Sequence, residues 1–203
     1  DGSAWTWDDP KNAEALAYYQ SFFTEELADK APVQGTTEAD FASGRVPMFI
    51  SGPWMMAAVE NAGGGEEFKD KYDVMLMPTK ESATSFVGGS NLAVFKNTQN
   101  RDAAWKFVEF LSQEQTQIEW YKLTTDLPAV QSAWNDPSLT ADAKLAKFGE
   151  QLQSAVAPPS VATWEQVSAS FDAQVEQVTR AGADPTTALA TVQSEATSIG
   201  LGG

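Results

Sequence analysis

Gly88-Gly89-Ser90-Asn91 places two side-chain-free residues before two short hydrogen-bonding side chains. The glycine pair lets the backbone take positive φ, or lets another molecule approach closely. Ser90 and Asn91 then present a hydroxyl and an amide just past the bend. A tight bend or bulge with no ligand is the competing reading. Trp54 sits near the start of a helix opened by Ser51-Gly52-Pro53, where it points out of the end of a strand. Trp164 begins a late helix and lies three residues before Val167 on an apolar stripe, so core packing is its rival role. Asp126, in the loop Thr124–Ala129, is either a hydroxyl acceptor or a solvated turn residue. The chemistry of such groups is binding rather than bond breaking. The chain has no Cys and no His, which removes thiol and Ser-His catalysis, Cys/His zinc sites and the usual near-neutral proton shuttle.

The elements that must carry these residues are mostly helices. Asp9-Pro10 reads as N-cap and first helical residue of a helix of about five turns, with Ala13, Leu16, Gln20, Phe23 and Leu27 on one stripe. Thr37-x-x-Asp40 starts a short helix that Gly44 ends. Val46–Ile50 reads as a strand, the Pro53 helix runs to Gly63-Gly64-Gly65, and Tyr72–Met77 is a second strand closed by Pro78. Leu92–Phe95 alternates as a third strand, and Asn100 caps a helix over 101–111 with Ala104, Val108 and Leu111 at helical spacing. Ser112-x-x-Gln115 reads as a second capping box, before a helix through Ile118, Trp120 and Leu123. A further helix is expected from about Thr140 to Val156. Ala157–Thr163 is an extended link, because each Pro biases its predecessor away from helix. Trp164 starts a helix with Val167, Phe171, Val175 and Val178 on one face, and Asp184-Pro185 starts the last, with Leu189, Val192, Ala196 and Ile199. Three strands among this many helices imply an α/β fold whose sheet is partly supplied by sequence outside this chain.

The length of 203 residues allows one large core or two small ones, burying roughly 70% of the unfolded surface. Thirteen basic against twenty-eight acidic residues give a net charge of −15, with no basic patch dense enough to track phosphates, which argues against nucleic acid and for a monomer. No run approaches the ~18 apolar residues of a membrane span. The chain opens Asp1-Gly2-Ser3, with neither initiator Met nor signal peptide, as a fragment or processed product would.

The order of these motifs resembles the C-terminal half of an extracellular solute-binding protein of a carbohydrate ABC importer, the family that includes maltose-binding protein. The residues that carry the resemblance span nearly the whole chain. They are Phe41-x-x-Gly44-Arg45-Val-Pro-Met48 leading to Gly52-Pro53-Trp54, the strand ending at Pro78, Gly88-Gly89-Ser90-Asn91 followed by Asn100-x-x-Ala103-Ala104-Trp105-x-Phe107-Val-x-Phe110-Leu111, and Pro158-Pro159 before Trp164. The resemblance implies a periplasmic-binding-protein-like fold of two α/β lobes with a ligand in the cleft between them. It implies that residues 1–82 are the first part of the C-terminal lobe, that 83–130 cross the hinge and pack in the N-terminal lobe, and that 131–203 return to the C-terminal lobe.

A sugar offers apolar C–H faces and a rim of hydroxyls, so its cleft wants flat aromatic platforms with amide, carboxylate and hydroxyl partners. By resemblance, Trp54 and Trp164 match aromatic platforms, and Gly89, Ser90 and Asn91 form a polar patch at the mouth of the hinge. The loop holding Asp126 resembles a Gly-x-x-Pro loop near the cleft, with Thr125 where the family has glycine and no basic residue after Pro128. Trp5 and Trp7 are expected at a lobe surface or edge, and Trp105 in a core. The implied function is capture of a sugar, an oligosaccharide above all, and its delivery to ABC permease subunits, without catalysis or cofactor. The implied location is the outer face of the membrane, lipid-anchored, or the periplasm; the Ala/Thr-rich, Lys-poor composition leans to the anchored form. A hydrolase using two carboxylates and a cell-surface adhesion or peptide-binding module are the alternatives. A binding protein returns its sugar intact, a hydrolase shortens it, and an adhesion module ignores it.

Overall fold

The computed structural model describes residues 3–202. In chain order its helices are α1 (Pro10–Thr24), α2 (Thr37–Ala42), α3 (Met55–Ala62), α4 (Arg101–Leu111), α5 (Glu114–Thr124), α6 (Pro137–Thr140), α7 (Ala143–Leu152), α8 (Trp164–Ala181) and α9 (Pro185–Ile199). Two short strands, β1 (Ser85–Phe86) and β2 (Ala155–Val156), pair in parallel, with Ser85 opposite Ala155 and Phe86 opposite Val156. The chain divides into two compact units, Asp1–Val33 with Pro158–Gly203, and Gln34–Ala157.

The first unit packs α1, α8 and α9 together. Its helices start where local chemistry says they should. Asp9 accepts from the Lys11 N–H, Asp184 accepts from the Thr187 N–H, and each is followed by Pro at the first helical position. Gly182, at φ 73°, ends α8 in the left-handed region that glycine enters at no steric cost. The apolar stripes then bury Val167, Val178, Leu189, Val192 and Ala196, with Leu16 from α1. Each full-sized aliphatic side chain so buried contributes about 1.5–3 kcal/mol. Gln20 crosses from α1 to donate to the carbonyls of Val178 and Ala183 at 2.9 and 3.0 Å, locking the end of α8. Helix α1 stops a turn short of expectation. Glu26 takes φ 59°, so Leu27 falls outside the helix and is exposed.

In the second unit, Val59, Ile118, Ala133, Leu139 and Leu145 are buried. Around α2 and α3 an aromatic group gathers, with Phe41 edge-on to Phe49, Phe68 and Tyr72. Gln151 of α7 ties the extended chain down. It accepts from the Met77 N–H at 2.8 Å and donates to the Ala83 carbonyl at 2.6 Å, just before β1.

The three expected strands at 46–50, 72–77 and 92–95 form no ladder, residues 46 and 47 lying in a bend, and β1 with β2 is the one pairing among the described residues. A strand is stabilised by a neighbour's N–H and C=O groups, and no described segment offers them here. The apolar side chains meant for a sheet stay open: Met48, Ile50, Met75, Leu92 and Phe95 are all exposed. Local capping readings shifted as well. Thr36, not Thr37, caps α2, and its hydroxyl bonds the Asp40 carboxylate while the backbone N–H groups go without a side-chain cap. Ser112 ends α4 by donating to the Val108 carbonyl, and α5 begins only at Glu114. The single helix expected from Thr140 to Val156 is divided, because Asp142 takes an extended conformation and caps α7 itself, and the last residues form β2.

Candidate functional site

Trp54 precedes α3 and is 66% exposed, a large area of indole in contact with solvent. It stands there because Gly52 is buried beneath it. A methyl group on Gly52 would lie 2.0 Å from the indole, so the ring rests on bare backbone. An open indole face is the form a sugar-stacking platform takes.

Ser90 and Asn91 are exposed in the same unit, and neither makes a hydrogen bond within the chain among the described residues. Their donors and acceptors are free for a partner or for water. The glycine pair before them does not take positive φ, contrary to one of the two uses its sequence suggested. Gly88 instead makes room for the Phe86 ring, which a Cβ would meet at 2.8 Å, whereas Gly89 has open space around it.

Asp126 follows α5. The Trp120 indole N–H donates to its Oδ2 at 3.2 Å, and the Thr124 hydroxyl accepts from its backbone N–H at 3.2 Å. Trp120 itself is 51% exposed, a pairing that sequence spacing alone does not announce.

Trp164 lies in the first unit and is half-buried, with ring centroids 6.3 Å from both Trp5 and Trp7, which are 6.3 Å from each other. Phe171 stacks on Trp7 at 4.8 Å. Gln193 of α9 fixes the N-terminal limb of this group: its carbonyl oxygen accepts from the Trp7 N–H at 2.8 Å and its amide donates to the Trp5 carbonyl at 3.0 Å. The Trp5 indole donates to Gly200 at 3.2 Å, while the Trp7 indole N–H is buried without a partner. Trp164 is thus stacked on two other indoles and still partly open.

The second unit also holds an open recess of about 850 Å³, bounded by Lys69–Asp73, Tyr121 and the start of α7. Lys69 pairs with Asp142 at 3.2 Å, and Lys144 sits 4.6 Å from the Tyr72 ring centre and donates to the Lys69 carbonyl. Burial works against the Asp142 carboxylate, but the Lys69 hydrogen bond and the Lys144 and Leu145 amides outweigh it and lower its pKa. Burial, followed by a hydrogen bond to Glu60, raises that of Tyr72. Among the described residues no three acidic side chains converge where a metal ion could sit.

A family model described as bacterial extracellular solute-binding protein matches residues 1–147. The galactooligosaccharide-binding protein of Bacillus subtilis is 28% identical over 183 residues, 87% of this chain and 42% of its own length. The maltotriose-binding protein of Pyrococcus abyssi is 29% identical over 178 residues, 81% of this chain and 37% of its own. Among solved structures, the sugar-binding protein MalE from Xanthomonas citri superposes with a TM-score of 0.87 at 27% identity, over 98% of this chain and 51% of that one. The chain therefore spans about half the length of that structure and less of the two curated relatives.

Proposed function

This chain belongs to the bacterial extracellular solute-binding protein family, and from that premise we propose that it is part of the sugar receptor of an ABC importer. Its fold is the periplasmic-binding-protein-like α/β fold. The complete protein captures an oligosaccharide in the cleft between its two lobes, releases it unchanged to the permease subunits, and works as a monomer outside the cytoplasm, lipid-anchored or free in the periplasm. Residues 1–82 and 131–203 are assigned to one lobe and 83–130 to the hinge crossing and the other.

The observation that carries this reading is the exposed indole of Trp54 seated on buried Gly52, a flat apolar surface of the kind on which a sugar ring stacks. Gly89, Ser90 and Asn91 add unengaged polar groups, Trp164 a second aromatic surface, and Asp126 a hydroxyl acceptor. The names of the relatives above, both oligosaccharide-binding, support the same ligand class. Function then needs no chemistry. Ligand shifts a population towards a closed state, by no more than its preference for that state.

The test is a tryptophan-fluorescence titration of the full-length protein against di- to tetrasaccharides, with the sugar analysed afterwards. A saturable change with the sugar recovered intact is expected. A shortened sugar would establish a hydrolase instead, and no response to any sugar would reject the sugar-receptor reading.

A further inference from the structure

Helix α5 ends at Thr124, and the next residue, Thr125, takes φ 65° and ψ 6°. This left-handed step turns the chain back, so that Asp126 meets Trp120 in the last turn of the helix it has just left. The corner is tied twice more through Thr124, whose hydroxyl donates to the Trp120 carbonyl at 2.9 Å and accepts from the Asp126 N–H. Only Oδ2 of the carboxylate is engaged; Oδ1 has no partner among the described residues. The Trp120 ring is 51% exposed, and no other described aromatic ring stacks on it.

An aliphatic-faced ligand lying on that indole would bring its rim to the edge where the carboxylate is held. A left-handed β-branched residue is an uncommon conformation, kept only where the surroundings impose it. We propose that Trp120 and Asp126 form one carbohydrate subsite, in which the indole carries the C–H face of a neutral sugar ring and Asp126 accepts its hydroxyls. Trp120 also positions the carboxylate, so the two act as a unit. The proposal rests on the sugar-receptor reading above and adds a contact pair to it.

The experiment is calorimetric titration of the full-length protein and of Trp120→Phe, Asp126→Asn, Trp120→Ala and the Trp120→Phe/Asp126→Asn double variant, using a sugar the wild type binds. Trp120→Phe keeps a smaller aromatic face and removes the N–H. Asp126→Asn should weaken binding about tenfold and Trp120→Phe about threefold, with the double variant short of the roughly thirtyfold product because the N–H works through the carboxylate. Trp120→Ala should weaken it at least as much as Asp126→Asn, all with melting midpoints close to wild type. Wild-type affinity in all four variants overturns the subsite while leaving the receptor reading intact. Affinity loss that appears only together with a large fall in melting temperature also overturns it. A wild type that binds no sugar overturns both.

Discussion

The ring of Trp54 occupies the space that a side chain on Gly52 would need: a Cβ there would lie 2.0 to 2.6 Å from three of its atoms. The contact is with the far end of an exposed side chain, so the indole swings away before the backbone does. Gly52→Ala should therefore weaken sugar binding about tenfold, a loss of about 1.4 kcal/mol, with little change in melting temperature. Trp54→Ala should do the same. Titration of both variants checks this, and unchanged affinity in Gly52→Ala would mean that the seated ring is not what the ligand meets.

Trp164 stands between packing and binding. Its contacts with Trp5 and Trp7 are aromatic pairs of the kind worth about 0.5–1.5 kcal/mol each beyond their buried area. Trp164→Ala should lower stability by about 1–3 kcal/mol on that account, and also weaken sugar binding at least about tenfold. Trp164→Phe should recover most of the stability. Denaturant unfolding and titration on the same samples separate the two roles, and a stability loss with wild-type affinity would leave only the packing one.

Thr125 holds a backbone conformation made for glycine. The left-handed region costs an ordinary L-residue about 1–2 kcal/mol, and a glycine there loses about 0.5–1 kcal/mol of that advantage to its freer unfolded chain. Thr125→Gly should be stabilising by about 0.5–1 kcal/mol, read as a higher denaturation midpoint at constant slope. A lower midpoint would show that the Thr125 side chain contributes contacts that outweigh the strain.

Asp40 is the carboxylate most displaced from ordinary behaviour. Hydrogen bonds from Arg45 and then Thr36 hold its pKa at about 2, below the ordinary 3.8. A carboxylate depressed on folding stabilises the native state fully above its unfolded value and loses that contribution as the pH falls through the folded one. Its share should thus be intact above roughly pH 4 to 5 and disappear towards pH 2. Carboxyl NMR titration should find Asp40 near 2, and Arg45→Met should raise it towards 3.8. An ordinary pKa in the intact protein would mean that the ion pair does not persist in solution.

Much of the helical framework is legible in the sequence because its determinants are local. Asp9 and Asp184 satisfy N–H groups two or three residues away, and Gly182 supplies the left-handed cap at its own position. Apolar spacing then identifies Val167, Val178, Leu189 and Val192 as interior, and all four are buried. The ordered set of Phe41–Met48 with Gly52-Pro53-Trp54, the segment ending at Pro78, Gly88–Asn91 with Asn100–Leu111, and the two prolines before Trp164 points to the family. Capping proved less certain where two candidates adjoin, as at Thr36 and Thr37, since either hydroxyl fits the same short pattern.

What the tertiary structure alone decided depends on partners distant in the chain. Alternation at 46–50, 72–77 and 92–95 signals strand-forming side chains, but a ladder needs a second row of backbone groups, and none among the described residues lies alongside. The meeting of Trp5 and Trp7 with Trp164 joins opposite ends of the chain through α8 and α9, and no spacing rule reaches that far. The Trp120–Asp126 pair is nearer in sequence but hinges on one left-handed residue, which a threonine does not advertise. Residue types and local spacing establish which groups are available for binding; the reversal of the backbone and the packing of helices determine which of them meet.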